Sequence, residues 1–179
     1  YEVAHILGVP LDVLIVRKLG VPGHPELAMG AIASGGASYF NKNVIQHENV
    51  SRGALDTTFN IESMELKRRE RLYRGNRPPL KITERVAIIV DDGIATGATA
   101  YAAVKALRMK HPAQIVVAVP VAPRLAAGRM LSVADNFVAV QIPADFHSVG
   151  QFYEDFDQVS DDEVRTLLAR MTWEQKASA

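Results

Sequence analysis

The stretch VAIIVDDGIATGAT, residues 86–99, decides how the rest of the chain is read. Its opening apolar run, Val86–Val90, predicts a strand buried on both faces of a parallel sheet. Asp91 and Asp92 follow at once, where such a strand leaves the core. A loop of small residues comes next (Gly93, Ile94, Ala95, Thr96, Gly97, Ala98, Thr99), and then a helical pattern with Ala100, Ala103, Val104 and Leu107 on one face. A helix start offers unpaired N–H groups and the positive end of the helix dipole. Gly97 and its small neighbours let the backbone close around an anion, and the hydroxyls of Thr96 and Thr99 add donors. Carboxylates repel a phosphate, so Asp91 and Asp92 suit vicinal sugar hydroxyls or a magnesium ion beside it. A phosphorylated sugar meets both demands.

Two other phosphate-binding spellings are excluded. A Walker loop ends in Gly-Lys-Ser/Thr, whereas Ala98 follows Gly97, and the spacing of Gly93 and Gly97 does not give G-x-G-x-x-G. The spelling present, an apolar run, two acids and a loop ending T-G-x-T, resembles the phosphoribosyl pyrophosphate motif of the type I phosphoribosyltransferases. The resemblance covers most of the chain and is nearest to bacterial phosphoribosyltransferase-domain proteins. It implies a single domain over 1–179, an α/β fold with an open, mostly parallel sheet and helices on both faces. An insertion or flexible-loop region is expected at 37–80 and a small C-terminal hood at 143–158.

With 179 residues the chain suffices for one α/β core. Lys plus Arg equals Asp plus Glu at 20 each, so no global field favours nucleic acid or a membrane surface. Cysteine is absent, which excludes disulfides, thiolate metal sites and cysteine nucleophiles. No apolar run has the length of a membrane span and no secretory signal is visible, so a cytoplasmic protein is expected. The chain opens on Tyr1 in the middle of a helical pattern, from which a preceding strand and turn are expected.

Residues 1–7 carry Val3, Ile6 and Leu7 at helical spacing, and Gly8-Val9-Pro10 stops the pattern. Residues 11–16 (LDVLIV) predict a second buried strand that ends in Arg17 and Lys18, two cations suited to a pyrophosphate. His24 is a further, lesser candidate in the loop that follows. Residues 31–39 read as a strand and a Gly-Gly turn, with 41–50 as the return strand. A helix is predicted over 55–74, with Phe59, Leu66 and Tyr73 on one stripe. Lys67, Arg68, Arg69, Arg71 and Arg74 crowd its end. They suit either a solvated helix C-terminus, a fold over polyphosphate, or an RNA contact. Strands at 114–121 and 136–142, a helix opened by Pro123, and a final helix capped by Ser160 and Glu163 complete the alternation. Beyond Trp173 fraying is expected.

The segment 143–158 (PADFHSVGQFYEDFDQ) leaves the same sheet edge as the acidic motif, and its aromatics could stack on a planar base or form a small satellite core. It resembles the hood of the hypoxanthine-guanine enzymes. That resemblance implies Phe146 as the stacking residue, with Val149 and Tyr153 also facing the base, and Asp155 as a neighbour of the metal. The family reaction displaces pyrophosphate from C1 of phosphoribosyl pyrophosphate by a nitrogen of a purine or pyrimidine base, with Mg2+ as cofactor. Asp91 and Asp92 would hold the ribose, the loop Gly93 to Thr99 the 5′-phosphate, and Arg17 and Lys18 the pyrophosphate. Ala95 stands where the hypoxanthine-guanine branch has an acid for the purine proton, so the motif resembles more closely the orotate or adenine branches, or bacterial members of the family for which the motif implies no particular base. A donor-sensing regulator without transferase activity is the alternative. Neither DNA nor a membrane is an expected partner, and a homodimer is the expected assembly.

Overall fold

A computed structural model describes residues 1–177, with side chains for all of these except Glu26 and residues 172–177. Helix α1 (Glu2–Leu7) ends at Gly8, whose left-handed backbone (φ 63°) closes the C-cap. Strands β1 (Val16–Val21), β2 (His24–Ala33) and β3 (Ala37–Phe40) form an antiparallel meander. Helices α2 (Lys42–His47) and α3 (Arg52–Arg74) follow. The acidic motif then begins with β4 (Val86–Val90), followed by α4 (Ala98–Arg108), β5 (Gln114–Val121), α5 (Arg124–Leu131) and β6 (Asn136–Gln141). These strands make a parallel sheet in the order β4-β5-β6. A 3-10 turn at Gly150–Phe152 precedes α6 (Asp161–Ala177). The α/β class and the parallel sheet with its crossover helices are as the alternation of apolar runs implies.

Helix α4 lies between the two sheets. Ala100, Val104 and Leu107 join Ile115, Val117 and Met130 in the core of the parallel sheet. Ala106 on its other side meets Ala33 and Ala37 of the antiparallel sheet. Alanine on that side lets the helix approach a sheet closely, as interior packing density requires. A second core forms where Ile15, Leu19, Met29 and Ile32 meet Leu66 of α3, with Phe59 and Tyr73 alongside, so the heptad stripe faces inward as its spacing predicts.

Local expectations change in four places. Residues 11–15 carry no ladder, and β1 begins only at Val16, opposite Ala33. The apolar run made this segment extended, but its contacts go elsewhere. The Ile15 N–H donates to Ser34 Oγ at 3.0 Å, and the Ser34 N–H donates back to the Ile15 carbonyl at 2.9 Å. The loop expected around His24 is itself strand, paired to β1 through the turn at Gly23 (φ 83°).

Residues 41–50 are not a strand. Asn41 accepts the Val44 N–H at 3.3 Å and caps α2. The N-cap signal outweighs the β-branched pair Val44 and Ile45, which pack against the second core in helical form. The return strand of the hairpin is β3.

Strand β4 is buried on one face only. Ala87 is 8% exposed, whereas Val86 and Val90 are 55% and 52% exposed, together with Val138 and Val140 of β6. Helices α4 and α5 pack on one face of the sheet, and no described element covers the other. Helix α6 is capped by Ser160, whose Oγ accepts the Glu163 N–H at 3.2 Å, and buries Leu168 and Met171. The fraying expected past Trp173 concerns side chains and terminal residues outside the described set. No described helix is long and apolar enough to cross a membrane.

Candidate active site

Where β4 ends, the chain turns outward and back. The Asp91 N–H donates to the Ala118 carbonyl at 3.4 Å, and the Ile94 N–H to Val121 at 3.0 Å. Between these anchors Asp91 and Asp92 are exposed. Ile94, only 2% exposed, plugs the loop into the core, leaving Ala95 and Thr96 at the surface. Gly97 adopts a left-handed backbone (φ 81°) and starts α4 without a side-chain cap. The N–H groups of the first turn therefore have no intrahelical acceptor and face the loop opening. The Thr96 hydroxyl accepts one, from Ala98, at 3.4 Å. Ala98 and Thr99 are exposed beside it.

The two carboxylates are adjacent and, among the described residues, neither is ion-paired. Desolvation by the surrounding protein and the charge of Asp92 raise Asp91 above the ordinary carboxylate range, partly offset by the Asp92 N–H on its Oδ1 at 3.1 Å. Hard oxygen ligands without a competing cation fit magnesium, which binds through one or two carboxylates and completes its shell with substrate oxygens and water. Asp155 accepts the Asp157 N–H at 3.1 Å, and no group of three potential ligands includes it among the described residues.

Segment 143–158 lies against this loop. The Tyr153 hydroxyl donates to the Asp92 carbonyl at 2.5 Å, and both acids raise its pKa beyond the effect of burial. Val149 fills the space beside Gly93, where a Cβ would lie 2.6 Å from a valine methyl. Phe146 stacks on Phe152 with centroids 5.7 Å apart, and Tyr153 packs on Phe156 at 5.0 Å. Val149 and Tyr153, read as base-facing residues, thus contact the acidic loop itself, while the Phe146 ring is engaged within its own segment.

Arg17 and Lys18 do not share a face. Strand alternation turns Arg17 with Ile15 and Leu19 toward α3, while Lys18 lies with Val16 on the side of α4. The Arg17 Nε donates to Glu62 of α3 at 2.7 Å. Glu62 had no place in the sequence reading. The available signal was an acid on the apolar stripe, between Phe59 and Leu66. His24 is exposed in a shallow groove with Leu27 and Glu48, away from the acidic loop.

Three of the five cations at the basic end of α3, Arg68, Arg69 and Arg74, are ion-paired. Arg68 and Arg69 hold Glu65, whose pKa falls to about 2. Arg74 reaches Asp12 at 3.0 Å and Glu70 at 3.5 Å. A cleft of about 740 Å³ between the end of α3 and α6, lined by Arg71, Arg77 and Arg165 among others, includes no residue of the acidic loop.

No family model matches the chain. A protein of Mycobacterium tuberculosis named "Putative phosphoribosyl transferase" is 45% identical over 170 residues, which cover 95% of this chain and 38% of that protein. The "Bifunctional protein PyrR" of Bacillus cereus is 34% identical over 102 residues, 55% of either chain. Among solved structures, TT1426 from Thermus thermophilus superposes with a TM-score of 0.83 at 38% identity, covering 95% of this chain and 80% of that one. The chain spans well under half the length of the mycobacterial relative.

Proposed function

This chain belongs to the phosphoribosyltransferase family, and from that premise we propose that it transfers the 5-phosphoribosyl group of phosphoribosyl pyrophosphate to a nitrogenous base, with release of pyrophosphate. The observation that carries the reading is the pair of exposed acids, without ion-pair partners among the described residues, running directly into a glycine-started helix N-terminus. Such a site has an anion end and a hydroxyl-accepting end a few residues apart.

In the reaction a base nitrogen forms a bond to C1 of the ribose while the C1–O bond to pyrophosphate breaks, its electron pair leaving with the pyrophosphate. Positive charge develops on the sugar ring, so the protein's work is positioning and electrostatic stabilisation. Asp91 and Asp92 accept the ribose hydroxyls and offset the developing charge. The backbone of residues 95–99 holds the 5′-phosphate, helped by the Thr96 and Thr99 hydroxyls. Asp91 and Asp92 are also the residues that would hold a magnesium ion, which when bound supplies positive charge near the pyrophosphate. Arg17 and Lys18 are the cationic candidates for the pyrophosphate, on opposite faces of β1, and Arg17 must exchange its Glu62 partner to serve.

Calorimetric titration with phosphoribosyl pyrophosphate and magnesium, followed by a screen of bases for pyrophosphate release, tests the proposal. Binding with release for one base supports a transferase and identifies the acceptor. Binding without release for any base favours the donor-sensing alternative. Absence of binding refutes both.

A further inference from the structure

We propose that Tyr153 is a positioning residue for the sugar-phosphate half of the donor, and that through it segment 143–158 sets the geometry of the acidic loop. The inference rests on the transferase reading for the identity of the ligand, but the contact that carries it does not. Two independent interactions, 61 residues apart in sequence for the first, join the segment to the same peptide unit. The Tyr153 hydroxyl donates to the Asp92 carbonyl, and the Val149 side chain occupies the space beside Gly93 that any larger residue would need.

The acidic loop has little else to hold it there. Asp91 and Asp92 are exposed, the Asp91 N–H bond to the sheet is long at 3.4 Å, and Ile94 is the next firm anchor. The peptide between Asp92 and Gly93 is thus oriented by what touches its carbonyl. Releasing it would free the backbone that carries Asp92 to shift relative to Asp91. The segment that does the holding is itself rigidly built. Gln151 Oε1 accepts the N–H groups of His147 at 2.8 Å and Ser148 at 3.0 Å, and its Nε2 donates to the Asp145 carbonyl at 3.3 Å. The Tyr153 ring is backed by Phe156, which in turn lies over Gly150.

Any ligand that orders segment 143–158 therefore also orders the residues read as ribose-binding, and the reverse holds by linkage. A base seated beside this segment and a donor seated on the loop are thereby coupled through the protein, in addition to the contact the reaction itself requires between them.

The test uses Tyr153→Phe, which removes the hydroxyl and keeps the ring. The probes are ribose 5-phosphate, titrated with magnesium present, and inorganic pyrophosphate, titrated without it so that no metal ties pyrophosphate to Asp91 and Asp92. Loss of one hydrogen bond predicts roughly three- to tenfold weaker ribose 5-phosphate binding. Pyrophosphate binding stays unchanged, a split that general destabilisation does not produce. Equal losses for both probes, or no loss for either, overturn the proposal. Amide hydrogen exchange at Asp92, Gly93 and Ile94 gives a readout that needs no ligand. If the unsubstituted protein binds neither probe, the transferase reading fails. Faster exchange in Tyr153→Phe then still supports the positioning contact, and unchanged exchange overturns it.

Discussion

Replacing both acids, Asp91→Asn together with Asp92→Asn, separates a ligand site from a structural one. Both side chains are exposed, and neither is ion-paired among the described residues. The one local bond, from the Asp92 N–H to Asp91 Oδ1, survives because an amide oxygen accepts it equally well. Folding stability should therefore change by no more than about 0.5 kcal/mol, as for ordinary surface substitutions. For a chain of this size that is a midpoint shift of about 2 °C. Relief of the repulsion that raises Asp91 makes stabilisation the expected sign. Donor binding should respond very differently. Hydrogen bonds to a charged group contribute about 1.5–3 kcal/mol each, so losing one sugar hydroxyl contact per acid costs roughly 3–6 kcal/mol, or about 10²- to 10⁴-fold in Kd. Titration calorimetry and thermal melts on the same samples measure both quantities. A donor affinity within threefold of the unsubstituted protein, with an unchanged melt, would refute the assignment of the ribose site to these residues.

The raised pKa of Asp91 makes a pH prediction with a definite sign. Its folded-state value lies above its unfolded one, so the contribution of this group to stability falls as pH rises between the two and stays low above them. Asn at position 91 should remove that slope from stability measured against pH, and donor affinity should decline on acidification sooner than an ordinary aspartate dictates. Gly93→Ala should cost about 1–3 kcal/mol by overpacking against Val149, and Val149→Ala in the same chain should recover most of it, as chemical denaturation will report. Ser34→Ala leaves the Ile15 N–H without its acceptor at a site only 2% exposed, and a loss of about 1–3 kcal/mol is expected from urea unfolding. Glu62→Gln should lower stability by about 1 kcal/mol or less and tighten pyrophosphate binding severalfold by freeing Arg17; weaker binding would show that Glu62 presents Arg17 rather than competes for it.

What the sequence made legible follows from how local each determinant is. Residues 86–99 declare strand, loop and helix through nearest neighbours, and the structure follows that order, although α4 already starts at Ala98 and β4 is buried on one face only. The heptad stripe of α3 is equally local, and its inward face was readable. Residues 11–16 failed because an apolar run specifies extended backbone but not the partner that makes it a strand. That partner, β2, begins pairing only at Val16. Residues 41–50 failed because one capping aspect of Asn41 outweighed two β-branched residues. The contacts of Tyr153 and Val149 with Asp92 and Gly93 span more than fifty residues and depend on where the chain returns after β6, which no local pattern encodes.

Charge distribution then limits how the site can act. The loop from residue 91 to 99 contributes two negative charges and no cation of its own, while the leaving group carries several negative charges. Cations must therefore come from outside the loop. The basic end of α3, an obvious source in the sequence, is occupied at three of its five cations: Arg68 and Arg69 share Glu65, and Arg74 is held between Asp12 and Glu70, while Arg71 lines the cleft against α6 rather than the acidic loop. Drawing any of them to a pyrophosphate would take a cation from its carboxylate partner, and for Glu65 the pKa of about 2 reflects the two arginine hydrogen bonds that would be given up. Arg17 faces the same competition from Glu62. Lys18 lies on the side of α4, and a magnesium ion arriving with the donor would meet Asp91 and Asp92, which have no cation of their own to displace. On this reading the metal carries most of the neutralisation, and donor affinity should depend more steeply on magnesium than on any single arginine.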